Sequence, residues 1–150
     1  MRMLRFRGKD IETGKWIVGM NIFLCCDKER TKFAGWMVQQ GTRVKHTHIE
    51  STDGNIWKHE TNCVTVDVET ICQYTGLKDR DGKDIFEGDV IEGGDYNDED
   101  GYGEIIWDDD TARFAIIGRH GNNLISDFDN YYGHELRVIG NIYDNPELVE

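Results

Sequence analysis

Val64, Val66 and Val68 alternate with Thr65, Asp67 and Glu69, a period of two that places the valines on one face of a strand and the polar groups on the other. The same alternation opens the chain. Leu4 and Phe6 interleave with Arg5 and Arg7, which predicts a strand burying its apolar side, and Gly8 to Gly14 supplies turn residues before Trp16 to Met20 predicts the return strand of a hairpin. Ile22 to Cys26 continues the apolar pattern, the charged Asp27 to Arg30 predicts a surface turn, and Phe33 to Gln39 predicts a further strand. Gly41 to Glu60 is polar and rich in turn formers, broken most clearly at Ser51 to Asn55, and reads as a loop region with room for one hairpin.

The second half is organised around Tyr74 to Glu92, which reads as the join between two β-rich parts. Asp81-Gly82 is the strongest turn signal, because glycine accepts positive φ and aspartate tolerates it. Ile85 to Ile91 predicts a strand interrupted at Gly88, and Gly93 to Gly103 an acidic loop. Glu104 to Trp107 and Arg113 to Ile117 flank Asp108 to Thr111, which predicts a hairpin with Ile105 and Trp107 facing Phe114 and Ile116. Ser126 to Glu135 predicts a short helix or a loop, with Ser126 as cap and Gly133 as terminator. Leu136 to Tyr143 predicts the last strand, closed by Pro146 because proline cannot donate to a ladder.

Composition agrees with strands joined by tight turns. There are 17 glycines and one proline, and the 4 Trp, 6 Tyr and 6 Phe can supply a core where aliphatic residues are few. Charge is unevenly placed: residues 1–75 hold 11 Lys/Arg against 9 Asp/Glu, residues 76–150 hold 6 against 20. An acidic half repels phosphate, so direct nucleic-acid binding is not expected. The first residues carry charge with no apolar run behind it, unlike a signal peptide, and the longest apolar run, Ile22 to Cys26, is far below the roughly 18 residues of a membrane span. Cys25, Cys26, Cys63 and Cys72 lack C-x-x-C spacing and read as free thiols. Together these predict a soluble intracellular protein with no membrane partner.

Candidate chemistry is sparse. Asp95 to Gly101 suggests a calcium loop, but counting from Asp95 puts Asp100 where a glycine is required and Ile106 where a bidentate glutamate is required, so a solvated loop is the expectation. Asp108-Asp109-Asp110 reads as a hairpin tip. His46 and His48, with Cys25, Cys26 or Cys63, make a transition-metal site conceivable, yet nothing in the spacing brings them together. His120, between Arg119 and Gly121, reads as part of a turn. No nucleophile elbow, phosphate-binding loop, dinucleotide fingerprint or H-E-x-x-H is present, so no catalytic, metal or cofactor residue is assigned and no cofactor is expected.

Three stretches carry a resemblance: Tyr74-Thr-Gly-Leu-Lys-Asp79; Asp81-Gly-Lys-Asp-Ile-Phe-Glu-Gly-Asp-Val90; and Val138-Ile-Gly-Asn-Ile-Tyr-Asp-Asn-Pro-Glu-Leu148. With Arg5-Phe-Arg-Gly8 and Gly14-Lys-Trp16, they make the chain resemble the YopX-like family of phage and prophage proteins from end to end. The resemblance implies a mostly β fold, a phage or prophage origin, a bacterial cytoplasmic setting and homo-oligomerisation, and implies no established activity. Its signature residues Tyr74, Thr75, Gly76, Leu77, Asp79, Gly82, Glu87, Gly88, Asp89, Gly140, Asn141, Asn145 and Pro146 are expected to be structural. The fold expected is mainly β with little helix: an N-terminal β meander over 1–75, then an acidic, small SH3-like β-barrel over 76–150. The function expected is that of a non-enzymatic accessory protein binding itself or a host or phage protein. Its rivals are an acidic DNA mimic occupying a host nucleic-acid-binding protein and a metal-dependent hydrolase built from the carboxylates.

Overall fold

The computed structural model describes residues 4–26, 33–39, 45–51, 54–60, 63–93, 101–118, 124–125 and 135–149. The expected turn at Asp27 to Arg30, the loop Asp95 to Asp100, His120 and the Ser126 to His134 segment lie outside them. The chain divides into two compact units, Arg5–Ile71 and Cys72–Glu150 with Met1–Leu4.

The first unit is an antiparallel β structure. β1 (Phe6–Lys9) pairs with the long β2 (Trp16–Cys26), β2 with β3 (Phe33–Gln39), and β3 with β6 (Cys63–Val66). β4 (Lys45–Ser51) and β5 (Gly54–Glu60) form a separate hairpin with an unbroken register from Lys45↔Glu60 to Ser51↔Gly54. The polar region read as loop with room for one hairpin does hold that hairpin, which is longer than its pattern suggests because neither face is rich in apolar residues. The ends of β1 and β6 meet at one point, where Asp10 bridges Val66 and the Ile11 N–H donates to the Thr65 carbonyl at 3.0 Å.

Two details depart from the hydrophobic pattern. Leu4 is 58% exposed while Arg7 is only 7% exposed, the reverse of the expected facing. The Arg7 guanidinium lies 4.5 Å from the centre of the Trp16 ring, and an arginine can bury its stem and planar head against an aromatic face. Val68 is not a strand residue, because the strand stops at Val66. Asp67 then caps a 3-10 turn over Val68–Thr70 by accepting the Glu69 N–H at 3.1 Å.

The second unit begins with β7 (Cys72–Lys78) and β8 (Asp84–Phe86), joined by the Asp81-Gly82 turn. The expected Ile85–Ile91 strand is two strands with a tight turn between them, β8 and β9 (Asp89–Glu92). β10 (Tyr102–Asp108), β11 (Arg113–Gly118), β12 (Leu124–Ile125) and β13 (Arg137–Asn141) complete a sheet of order β12-β11-β10-β9-β13. Ile105 faces Ile116 and Trp107 faces Phe114, the last two rings edge to face at 5.1 Å, as the alternation predicts. The core is Ile85, Ile91, Ile105, Phe114, Ile116, Leu136 and Val138, with Leu77 packed against it. Pro146 does not close the last strand. β13 ends at Asn141, a turn follows, and Pro146 opens a second 3-10 turn, Pro146–Leu148, where its missing N–H costs nothing. No sheet closes on itself among the described residues, so the expected barrel is not formed by the described ladders: β12 pairs with β11 alone and β13 with β9 alone.

Both units use one device at a hairpin tip. Asp10 accepts from the Glu12 N–H and the Thr13 hydroxyl, while Asp108 accepts from the Asp110 N–H and the Thr111 hydroxyl. The threonine hydroxyl is the main reason that each carboxyl lies below its ordinary value.

Thr70 ties the first unit together internally: its hydroxyl accepts the Lys9 N–H at 2.9 Å and donates to the Asp67 carbonyl at 2.8 Å. Thr70→Val takes both bonds away at a buried position, and urea denaturation is expected to show a loss of about 1–3 kcal/mol, while Thr70→Ser stays close to the parent.

Candidate functional site

The stretches 74–79 and 81–90 meet the distant stretch 138–148 in the second unit. Asp79 is their meeting point. Its side chain is 5% exposed; Oδ1 accepts the N–H groups of Asp81 and Lys83 at 2.9 and 2.8 Å, and Oδ2 accepts the Val138 N–H at 3.1 Å across 59 residues. The Arg80 N–H donates to the Leu136 carbonyl at 2.9 Å beside it. Burial alone would raise the Asp79 pKa, but the three backbone donors and the Lys83 charge together hold it below the ordinary carboxylate value.

Upstream, Tyr74 faces Phe86 across the β7–β8 ladder with ring centres 5.5 Å apart. The register then shifts at a bulge through Thr75, Gly76 and Leu77, where the Thr75 hydroxyl takes the place of ladder partners by donating to the Ile85 carbonyl at 2.9 Å and accepting the Leu77 N–H at 3.2 Å. Lys78 Nζ reaches Asp84 at 2.6 Å and the Gly82 carbonyl at 3.0 Å across the turn.

The second stretch makes the β8–β9 turn. Asp89, 1% exposed, accepts the Phe86 N–H at 2.8 Å, and Gly88 adopts φ +72°, which a side chain rarely tolerates. Gly88 is held by both backbone groups: its N–H donates to the Ile105 carbonyl at 2.7 Å and its carbonyl accepts the Ile142 N–H at 2.9 Å.

The third stretch folds back over the sheet. Asn141 accepts the Tyr143 and Asp144 N–H groups at 3.0 Å each and donates to Asp144 Oδ2 at 2.8 Å. Gly140 permits the close return, since a Cβ there would stand 2.6 Å from Asn145 Oδ1 and 2.8 Å from Leu148 Cδ1. Glu92 completes the set through Arg137 at 2.9 Å. Thus the polar signature side chains of Thr75, Asp79, Asp89 and Asn141 meet backbone groups inside one unit.

That return leaves a cleft of about 220 Å³ between the Pro146–Leu148 turn and the outer face of the sheet. Val90, Glu104 and Ile117 form one row across β9, β10 and β11; Tyr102, Gly103 and Gly118 extend the floor, and Leu148 and Val149 make the wall. Glu104 stands in the middle of this row. Its carboxyl lies above its ordinary value because burial disfavours the charge and the neighbouring Glu87 carboxylate adds repulsion. No described residue donates a hydrogen bond or an ion pair to that carboxylate. Sequence reasoning passed over Glu104 as the first residue of a hairpin strand. Only the β9–β10–β11 register, which local pattern does not carry, sets it beside Val90 and Ile117.

The other candidates stay apart or undescribed. Asp108 to Asp110 form the hairpin tip. His46, His48, Cys25, Cys26 and Cys63 lie on strands whose side chains are outside the description, as is the Asp95 to Asp100 loop. Among the described residues no three His, Cys, Asp or Glu side chains gather as a metal site, and no helix is long and apolar enough to cross a membrane.

The buried Asp79 carboxyl and the half-buried Glu104 carboxyl respond oppositely to pH. The Asp79 carboxyl is lowered in the fold, so its stabilisation is present above the ordinary carboxylate value and is lost as pH falls through the lowered one. Asp79→Asn cannot accept the Val138 N–H with its amide nitrogen, and is expected to lose about 1–3 kcal/mol near neutral pH, with the deficit shrinking in acid. The Glu104 carboxyl is raised, so its charge costs stability above the raised value; Glu104→Gln is expected to gain less than about 1 kcal/mol near neutral pH, with the gain vanishing in acid. Urea denaturation across pH checks both.

The family model described as YopX protein matches residues 5–150. The crystal structure of protein EF1440 from Enterococcus faecalis is similar over 100% of each chain, at 25% identity and a TM-score of 0.54. No curated protein matches.

Proposed function

From the premise that the chain belongs to the YopX family, we propose that it is a non-enzymatic accessory protein of phage or prophage origin, acting in the bacterial cytoplasm by binding protein, first of all a second copy of itself. The observation that carries this reading is the inward use of the signature. Thr75, Asp79, Asp89 and Asn141 all hold backbone partners of their own unit. A motif used in this way maintains a scaffold, and a scaffold without assigned chemistry serves through its surface.

That surface carries Trp107, 40% exposed on β10 and steadied by Phe114, beside the acidic tip Asp108 to Asp110. Exposed aromatics held in a fixed orientation are characteristic anchors of protein interfaces. The return of β13 to β9, the first strand of the β9–β12 meander, also supports reading the second unit as an SH3-like barrel, a fold that commonly presents binding surfaces.

Light scattering at working concentration is expected to give a multiple of 17.3 kDa that falls to the monomer in Trp107→Glu. A monomeric parent would reject self-association. Capture from lysogenic host extract then separates the remaining readings: a nucleic-acid-binding protein released by raised salt indicates that the acidic half acts as a DNA mimic, and recovery of no protein overturns the binding reading as a whole.

A further inference from the structure

The cleft under the Pro146–Leu148 turn has the shape and polarity of a site for one small group. At about 220 Å³ it is smaller than the about 300–1,000 Å³ usual for drug-sized ligands, so a nucleotide or large cofactor does not fit. Val90, Ile117, Leu148 and Val149 give it apolar walls, and Glu104 places one carboxylate at the centre of the floor. A divalent cation is a poor match, because calcium takes six to eight oxygen ligands and magnesium a full octahedron, whereas these walls are mainly hydrocarbon. An anion meets Glu104 with Glu87 near it. What remains is a compact cation on a short apolar stem.

The geometry points to the cleft as a binding site for an alkylammonium group, its methylenes against Val90, Ile117, Leu148 and Val149 and its ammonium on Glu104. A carboxylate partly removed from water, with no donor among the described residues, is a destabilised charge, and a charge-assisted hydrogen bond from an ammonium relieves it. Neutralising Glu104 also lowers its repulsion with Glu87. The lysine side chain of a protein and a free primary amine share this chemistry. The site is independent of self-association, so a monomeric chain would leave the inference intact.

The probe is n-butylammonium chloride titrated into the full chain and followed by backbone amide NMR, with n-butanol and sodium chloride as controls. Saturable shifts are expected at Tyr102, Gly103, Glu104, Ile117 and Gly118, weakened about tenfold or more with butanol and in Glu104→Gln, since a hydrogen bond to a charged group carries at least that factor. Ile117→Trp, which fills the cleft and keeps Glu104, is expected to abolish the shifts while the rest of the spectrum stays folded. A second arm compares a short lysine peptide with its acetyllysine form: tighter binding of the lysine peptide than of butylammonium identifies a protein side chain as the natural occupant, and equal binding identifies a small amine. Equal response to butanol and butylammonium, unchanged binding in Glu104→Gln, or no saturable shift in the cleft residues overturns the assignment.

Discussion

The second unit depends on a buried carboxylate that behaves as a piece of backbone. Asp79 satisfies two N–H groups of the 79–83 turn with one oxygen and the Val138 N–H with the other. A neutral amide of the same size offers one acceptor oxygen, and at least one of the three N–H groups, the buried one of Val138 included, would then lack its partner. Fixing Val138 fixes the register of β13 on β9, with Arg137 opposite Glu92 and Val138 opposite Ile91. The bulge between Val138 and Gly140 then brings Gly140 opposite Val90, and the chain can fold over the sheet at Asn141. The cleft wall at Leu148 is thus a distant consequence of the contact at Val138.

Electrostatics in the acidic half follow from the same economy of donors. Where acids meet N–H groups or cations, as at Asp79, Asp89 and Glu92, they hold turns and strand ends. Glu104 is different because both neighbours in its row are apolar and the charge near it is another carboxylate. Net charge therefore says little about any one acid. What decides the role of each is the register that selects its neighbours.

Much of the β architecture was legible from local pattern. The opening hairpin, the Asp81-Gly82 turn and the facing of Ile105 and Trp107 with Ile116 and Phe114 follow from alternation and turn chemistry. The D-x-x-T tips could be read as well, since the hydrogen bonds involved span three residues. The misses have physical causes. The pattern allows for the β4–β5 hairpin but not its length, since mostly polar residues leave no alternation to mark it. Arg7 is buried against Trp16, an interaction across strands. Gly88 interrupts Ile85–Ile91 as expected, but its positive φ turns the chain and does not merely bulge it. The family signature could be recognised as a pattern, whereas the reason for its spacing, contact between Asp79 and Val138, exists only in three dimensions.

That separation of 59 residues also orders the birth of the fold. Hairpins such as β10–β11 close over a few residues and can form early, while the Asp79–Val138 contact must wait for a long loop to close. On the ribosome, β7, β8 and β9 emerge with the Asp79 carboxylate and one edge of β9 still open, and β13 arrives last to cover both. The inner strand β9 therefore keeps an uncovered edge until nearly the whole described chain has been made, and β13 is the strand that covers it.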